Sequence, residues 1–166
     1  MRGKLIVVTG AMIGLLTVAA NGQMDAVATN NSNKRPSQEI TKTTPAITEI
    51  RGVALGMTAD EVKEKLGKPK VDDKDGFDYI FSDNVSLQIR LDADGRVNIA
   101  SITYSGDNAE APEVNEVFGG DKATTADSSG RIYELVRYPE AGYWVSYSRA
   151  MFDSGPTTTV TIQKIR

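Results

Sequence analysis

Residues 85–92, Val-Ser-Leu-Gln-Ile-Arg-Leu-Asp, alternate apolar and polar side chains without a break. A period of two fits a strand with one buried face and excludes an amphipathic helix, whose period is 3.6. Val85, Leu87, Ile89 and Leu91 then face a core, while Ser86, Gln88, Arg90 and Asp92 face outward. Asp94-Gly95 follows, and both residues tolerate positive φ, so a hairpin turn is expected there with the next strand over 96–104. That strand's apolar set changes phase between Ile99 and Ile102, which calls for a bulge or for burial on both faces. Upstream, Phe77, Tyr79 and Phe81 alternate with Asp78 and Ile80 as another strand, and Asp83-Asn84 turns the chain between the two.

A short helix is specified just before these strands. Thr58 and Glu61 are spaced as a capping box, in which each side chain satisfies the other residue's backbone N–H. Met57 is placed to staple onto Val62, and Asp60 and Glu61 suit the positive end of the helix dipole. Val62 and Leu66 share one face, leaving Lys63, Glu64 and Lys65 for water. Gly67 in a left-handed conformation ends the helix and Pro69 blocks its resumption. A helix this short is unstable alone and must pack on the strands that follow.

The pattern recurs. Glu-Val-Lys-Glu-Lys-Leu-Gly at 61–67 has a counterpart in Glu-Val-Asn-Glu-Val-Phe-Gly at 113–119, with Pro112 at the first helical position. Strands are expected at 131–138, 143–148 and 157–165, joined by a turn at 139–142 and a looser loop at 149–156. The reading is an α+β fold of two tandem helix–βββ units, 52–105 and 111–166, with short helices packed on one face of an antiparallel sheet.

Residues 1–20 read as a secretory signal peptide. Arg2 and Lys4 precede an apolar run from Leu5 to Ala20, shorter than the roughly 20 residues of a spanning helix. Small residues suited to cleavage occur at Ala20 and as far as Ala28, and an uncleaved anchor is the alternative. Residues 21–48 are rich in Asn, Ser, Thr, Gln and Lys and read as a flexible linker, which leaves 49–166 as the folded domain. The expected location is the periplasm or the outside of the cell. The net charge of −3, more acidic still once Arg2 and Lys4 are removed, argues against a nucleic-acid partner.

Thr58, Glu61, Gly67 and Pro69, within Gly-Met-Thr, an acidic helix start and Leu-Gly-Lys-Pro, precede aromatic-rich strands. This stretch resembles the SmpA/OmlA-type (BamE-like) outer-membrane lipoproteins, and the doubled unit is similar to the tandem folds of the β-lactamase inhibitory proteins. The resemblance covers 52–105 well and 111–166 weakly. It implies a fold and an envelope setting but transfers no functional residue. With no cysteine in the chain, the lipid anchor of those lipoproteins has no attachment site at a processed N-terminus.

The chain has no histidine and no cysteine, so Ser–His–Asp triads, Cys–His dyads and His- or Cys-ligated zinc sites cannot be built. Carboxylate chemistry through Asp78, Asp92 or Glu134 remains, as an envelope hydrolase, yet no pattern pairs these acids. The acidic stretches 71–76 and 92–95 read as turns, because the spacing of a calcium loop is missing. No cofactor or metal is implied. Placing Tyr143, Val145 and Tyr147 inward leaves Trp144, Ser146 and Ser148 outward, joined by Thr157, Thr159, Thr161 and Gln163 of the last strand. With Ser86, Gln88 and Arg90 these form a polar sheet face whose Trp and Arg are the types that dominate protein-binding hot spots. Trp144 as a core residue is the competing reading. The expected function is a non-enzymatic module binding another envelope or secreted protein, with an inhibitor or regulator of an envelope hydrolase as a narrower form.

Overall fold

The computed structural model describes residues 45–120 and 124–165. The readings of residues 1–20 and 21–44 lie outside the described residues. The first elements among the described residues are two very short strands, β1 (Glu49–Ile50) and β2 (Val53–Ala54), which pair as a hairpin. Next comes α1 (Ala59–Leu66), with both bonds of the capping box made. The Glu61 N–H donates to Thr58 Oγ1 at 3.4 Å, and the Thr58 N–H donates to Glu61 Oε2 at 2.8 Å. Gly67 ends the helix with its N–H on the Lys63 carbonyl. Lys63 is not left to water. Its ammonium lies 2.8 Å from Asp72 and 4.8 Å from the centroid of the Phe77 ring, fixing α1 against the sheet.

Four antiparallel strands follow: β3 (Val71–Asp73), β4 (Gly76–Ser82), β5 (Val85–Leu91) and β6 (Val97–Ser105). The acidic stretch read as a turn is therefore partly a strand, with Val71 opposite Asp78 and Asp73 opposite Gly76. All of β3 is exposed, so pairing with β4 and the Lys63–Asp72 contact hold it and no apolar pattern announces it. Pairing is unbroken from Ile99 to Ile102, where the phase change suggested a bulge; the bulge of β6 comes earlier, since Leu91 pairs with Val97 but Arg90 with Ile99, leaving Asn98 as the extra residue. The shift lets Val97 and Ala100 both reach the core. The hairpin expected at Asp94-Gly95 forms between β5 and β6, with positive φ at Gly95 but not at Asp94. Asp92 closes the turn, its backbone N–H donating to the Arg96 carbonyl and its Oδ1 accepting from the N–H groups of Asp94 and Arg96.

The second half supplies α2 (Val114–Phe118), β7 (Ile132–Tyr138), a turn of 3-10 helix (Pro139–Ala141), β8 (Tyr143–Phe152) and β9 (Gly155–Lys164). Pro112 lies outside α2, whose N-cap is Glu113, so it does not occupy the first helical position. The supposed loop at 149–156 is mostly strand. Met151 pairs with Pro156 and Phe152 with Gly155, leaving only Asp153-Ser154 to turn.

The α+β fold of two tandem helix–βββ units is not what forms. The protein is mainly β, with seven strands in one antiparallel sheet ordered β3-β4-β5-β6-β9-β8-β7 and the β1–β2 hairpin as a separate small sheet. Among the described residues α-helix is confined to the eight residues of α1 and the five of α2. The physical reason is where the apolar area lies. The helices bury Val62, Val114, Val117 and Phe118, whereas the strands supply Phe77, Tyr79, Leu87, Ile89, Ala100, Ile102, Val136, Tyr138, Val145, Tyr147, Val160 and Ile162. Two sets of strands then share an edge, β6 against β9, rather than each closing its own layer.

The core occupies one face of this sheet, where the helices and the β1–β2 hairpin contribute to the same apolar cluster. Ile47 packs there as well, and its carbonyl accepts from the Tyr143 hydroxyl at 2.9 Å. Leu87 and Ile89 are buried, with Val85 and Leu91 half-buried against the same cluster, as the alternation of 85–92 requires.

Candidate functional site: the open sheet face

The other face of the sheet carries no helix among the described residues, and register fixes what it presents. Directly opposed residues of antiparallel strands share a face. One cross-strand row runs Arg90, Ile99, Gln163, Trp144, Arg137. The next runs Asp78, Gln88, Ser101, Thr161, Ser146, Leu135. A third runs Ile80, Ser86, Thr103, Thr159, Ser148, Tyr133.

All six residues singled out from sequence fall on this face. Ser86, Gln88 and Arg90 project from β5, and Trp144, Ser146 and Ser148 from β8. Trp144 is half-buried and is not part of the core. Its neighbours Tyr143 and Val145 take the core side, because alternation along β8 sends adjacent side chains to opposite faces. The two triplets do not touch. Arg90 and Trp144 belong to one row but are separated by Ile99 and Gln163, three strand steps or roughly 14 Å.

The middle of the face is a sheet of small hydroxyls, and they bond to one another. Ser101 Oγ and Thr161 Oγ1 are 2.8 Å apart, and Thr103 Oγ1 and Thr159 Oγ1 are 3.2 Å apart. Each pair bridges β6 and β9, the seam between the two halves of the chain. Toward β4 the polar groups also have partners. Gln88 Nε2 donates to Asp78 Oδ1 at 3.3 Å, and Arg90 Nη1 lies 3.8 Å from the same oxygen. Both contacts are solvent-exposed and therefore weak, but they orient the side chains.

Sequence reasoning left out the margins. Ile80 and Tyr133, 61 % and 63 % exposed, close the two ends of the third row, and Phe152, 60 % exposed, continues the outward alternation of β8 beyond Ser148. Tyr133 was readable from the alternation of β7, in which Val136 and Tyr138 point inward. Phe152 was hidden by reading its strand as a loop.

The three acids considered for hydrolysis do not converge. Asp78 is on the open face, whereas Glu134 pairs with Tyr147 on the core side of β7. Asp92 caps the β5–β6 turn and is bound by Lys164 Nζ at 3.4 Å. The Arg96 N–H, and after it Lys164 and the Asp94 N–H, hold the Asp92 carboxyl below the ordinary carboxylate range. Among the described residues no group of His, Cys, Asp and Glu is gathered closely enough to hold a metal ion. No family model, curated protein or solved structure matches the chain.

Proposed function

We propose that this chain is an exported, non-enzymatic binding module of the bacterial envelope, periplasmic or secreted, which docks another protein on the open face of its sheet. A narrower form of the same reading is an inhibitor or regulator of an envelope hydrolase. The observation that supports it most is the pairing of the central hydroxyls. Covering a polar group costs free energy when its hydrogen bonds to water are lost without replacement. Here Ser101 with Thr161, and Thr103 with Thr159, keep a bond within the face itself, so a partner can dehydrate them at reduced cost. Around them stand Trp144, Tyr133, Ile80 and Phe152, large groups that gain by being covered. A self-satisfied polar floor with a large apolar margin suits a broad protein surface better than a small substrate, which needs an enclosing cleft.

The test is capture from envelope extract by the full chain, compared with Trp144→Ala and Arg90→Ala variants after circular dichroism has shown them folded. A specific partner of the wild type that is lost from Trp144→Ala, and weakened in Arg90→Ala, supports the reading. Retention at wild-type level by the folded double variant overturns it.

A further inference from the structure

A second feature lies on the opposite face, at the end of the sheet bearing the Asp153-Ser154 turn. Most core-side rows are apolar: Ala100, Ile162, Val145 and Val136 form one such row, all buried. Nearer this turn the row becomes Tyr104, Thr158, Arg149, on adjacent strands β6, β9 and β8. Thr158, 2 % exposed, is the one buried polar residue among the described residues. It lines a cavity of about 170 Å³ whose wall also includes Tyr104, Asp107, Glu113 and Arg149. The wall is firmly placed. The Gly106 N–H donates to the Pro156 carbonyl at 2.8 Å, and a Cβ on Gly155 would lie 3.1 Å from Gly106 Cα.

The chemistry of this lining is mixed in sign. Arg149 touches Glu113 through one N–H at 3.3 Å, and its guanidinium carries five donors in all. Thr158 adds a hydroxyl beside it, and Asp107 and Glu113 add carboxylates on the loop side. A simple anion would meet two carboxylates, and a simple cation would meet the guanidinium. A molecule carrying both signs a few ångströms apart matches all of these groups. The volume, about that of six waters, has room for a handful of heavy atoms. We propose that the cavity between Tyr104, Arg149, Thr158 and Glu113 is a binding site for a small zwitterion of the α-amino-acid class. The carboxylate of the ligand lies against Arg149 and Thr158, and its ammonium faces Glu113 and Asp107.

This site does not depend on the proposed docking face, and its failure would leave that reading intact. The experiment is a titration of the full chain with glycine, L-alanine and D-alanine, followed by calorimetry and ligand-observed NMR. Acetate and methylammonium serve as single-charge controls. At least one zwitterion is expected to bind about tenfold or more tighter than either control. Thr158→Val and Arg149→Met are each expected to weaken it by about tenfold or more, with Lys68→Ala, on an exposed bend, binding as the wild type does. Thr158→Val should keep or raise the melting temperature, so its loss of binding is separable from unfolding even where Arg149→Met does not fold. Zwitterions binding no better than the controls, or undiminished affinity in folded Thr158→Val, would overturn the assignment.

Discussion

The Tyr79 hydroxyl donates to the Gly67 carbonyl at 3.1 Å, joining the end of α1 to the middle of β4. The same ring stacks on Phe81 at 6.2 Å, and the Arg51 guanidinium lies 4.5 Å from the centroid of Phe81. One tyrosine thus links helix, sheet and the β1–β2 hairpin. Tyr147 differs: it is fully buried and its hydroxyl has no hydrogen-bond partner among the described residues. Removing a bonded hydroxyl should weaken the fold, and removing an unbonded one should not. Tyr79→Phe is expected to lose about 0.5–1.5 kcal/mol in urea unfolding, while Tyr147→Phe should be neutral or more stable.

Gly76 begins β4 opposite Arg90, with φ of 155°. A Cβ there would collide with the backbone carbonyl oxygen of Ile89, which cannot rotate aside as a flexible side chain would. Gly76→Ala should therefore destabilise by about 1–3 kcal/mol and loosen the β4–β5 pairing, read as faster amide exchange in Phe77 and Ile89. Gly95→Ala, with open space at its Cβ position, should show only the smaller strain of its positive φ.

Acid should act partly through Asp92. Because its folded-state carboxyl titrates below the unfolded value, it contributes stability above the unfolded value and loses it as pH falls through the folded one. The acid limb of a stability–pH curve should accordingly be shallower in Asp92→Asn than in the wild type. A parallel pair of curves would show that the turn bonds to Asp92 have no pH-linked role.

Alkali should act through buried tyrosines. Burial raises the titration of Tyr79, helped by the charge of Asp72, and burial likewise raises Tyr138 and Tyr143. A raised folded value means that stability is complete below the unfolded value, near pH ~10, and falls as pH rises through the folded one. Tyrosinate absorbance above that point should therefore rise together with loss of the far-ultraviolet strand signal. Full ionisation in a still-folded chain would contradict this coupling.

What the chain discloses locally, it discloses through alternation and capping. Val85 to Leu91 announce which side chains face the core because every second residue is apolar, and Thr58 with Glu61 announce a helix start through two specific bonds. Elements without a buried face are silent: Val71–Asp73 is wholly exposed, and Met151 and Phe152 are both exposed strand residues. Helix was overestimated because the Glu-Val-x-Glu motif at 113–116 resembles that at 61–64, although the second helix reaches only five residues. The candidate face was legible strand by strand. Its assembly was not, since the pairing of β6 with β9 brings together residues more than fifty positions apart and leaves no local trace.

That β6–β9 seam also dictates how the chain has to be made. While synthesis has passed Ser105 but not yet reached β9, the β6 edge has no partner, and its row of free amides is an invitation to foreign strands. The sheet becomes continuous only when the last strand inserts at its middle, so the C-terminal ten-residue strand acts as a keystone. A chain cut short before Gly155 is expected to precipitate or recruit chaperones, with a peptide spanning 155–164 added in trans restoring solubility.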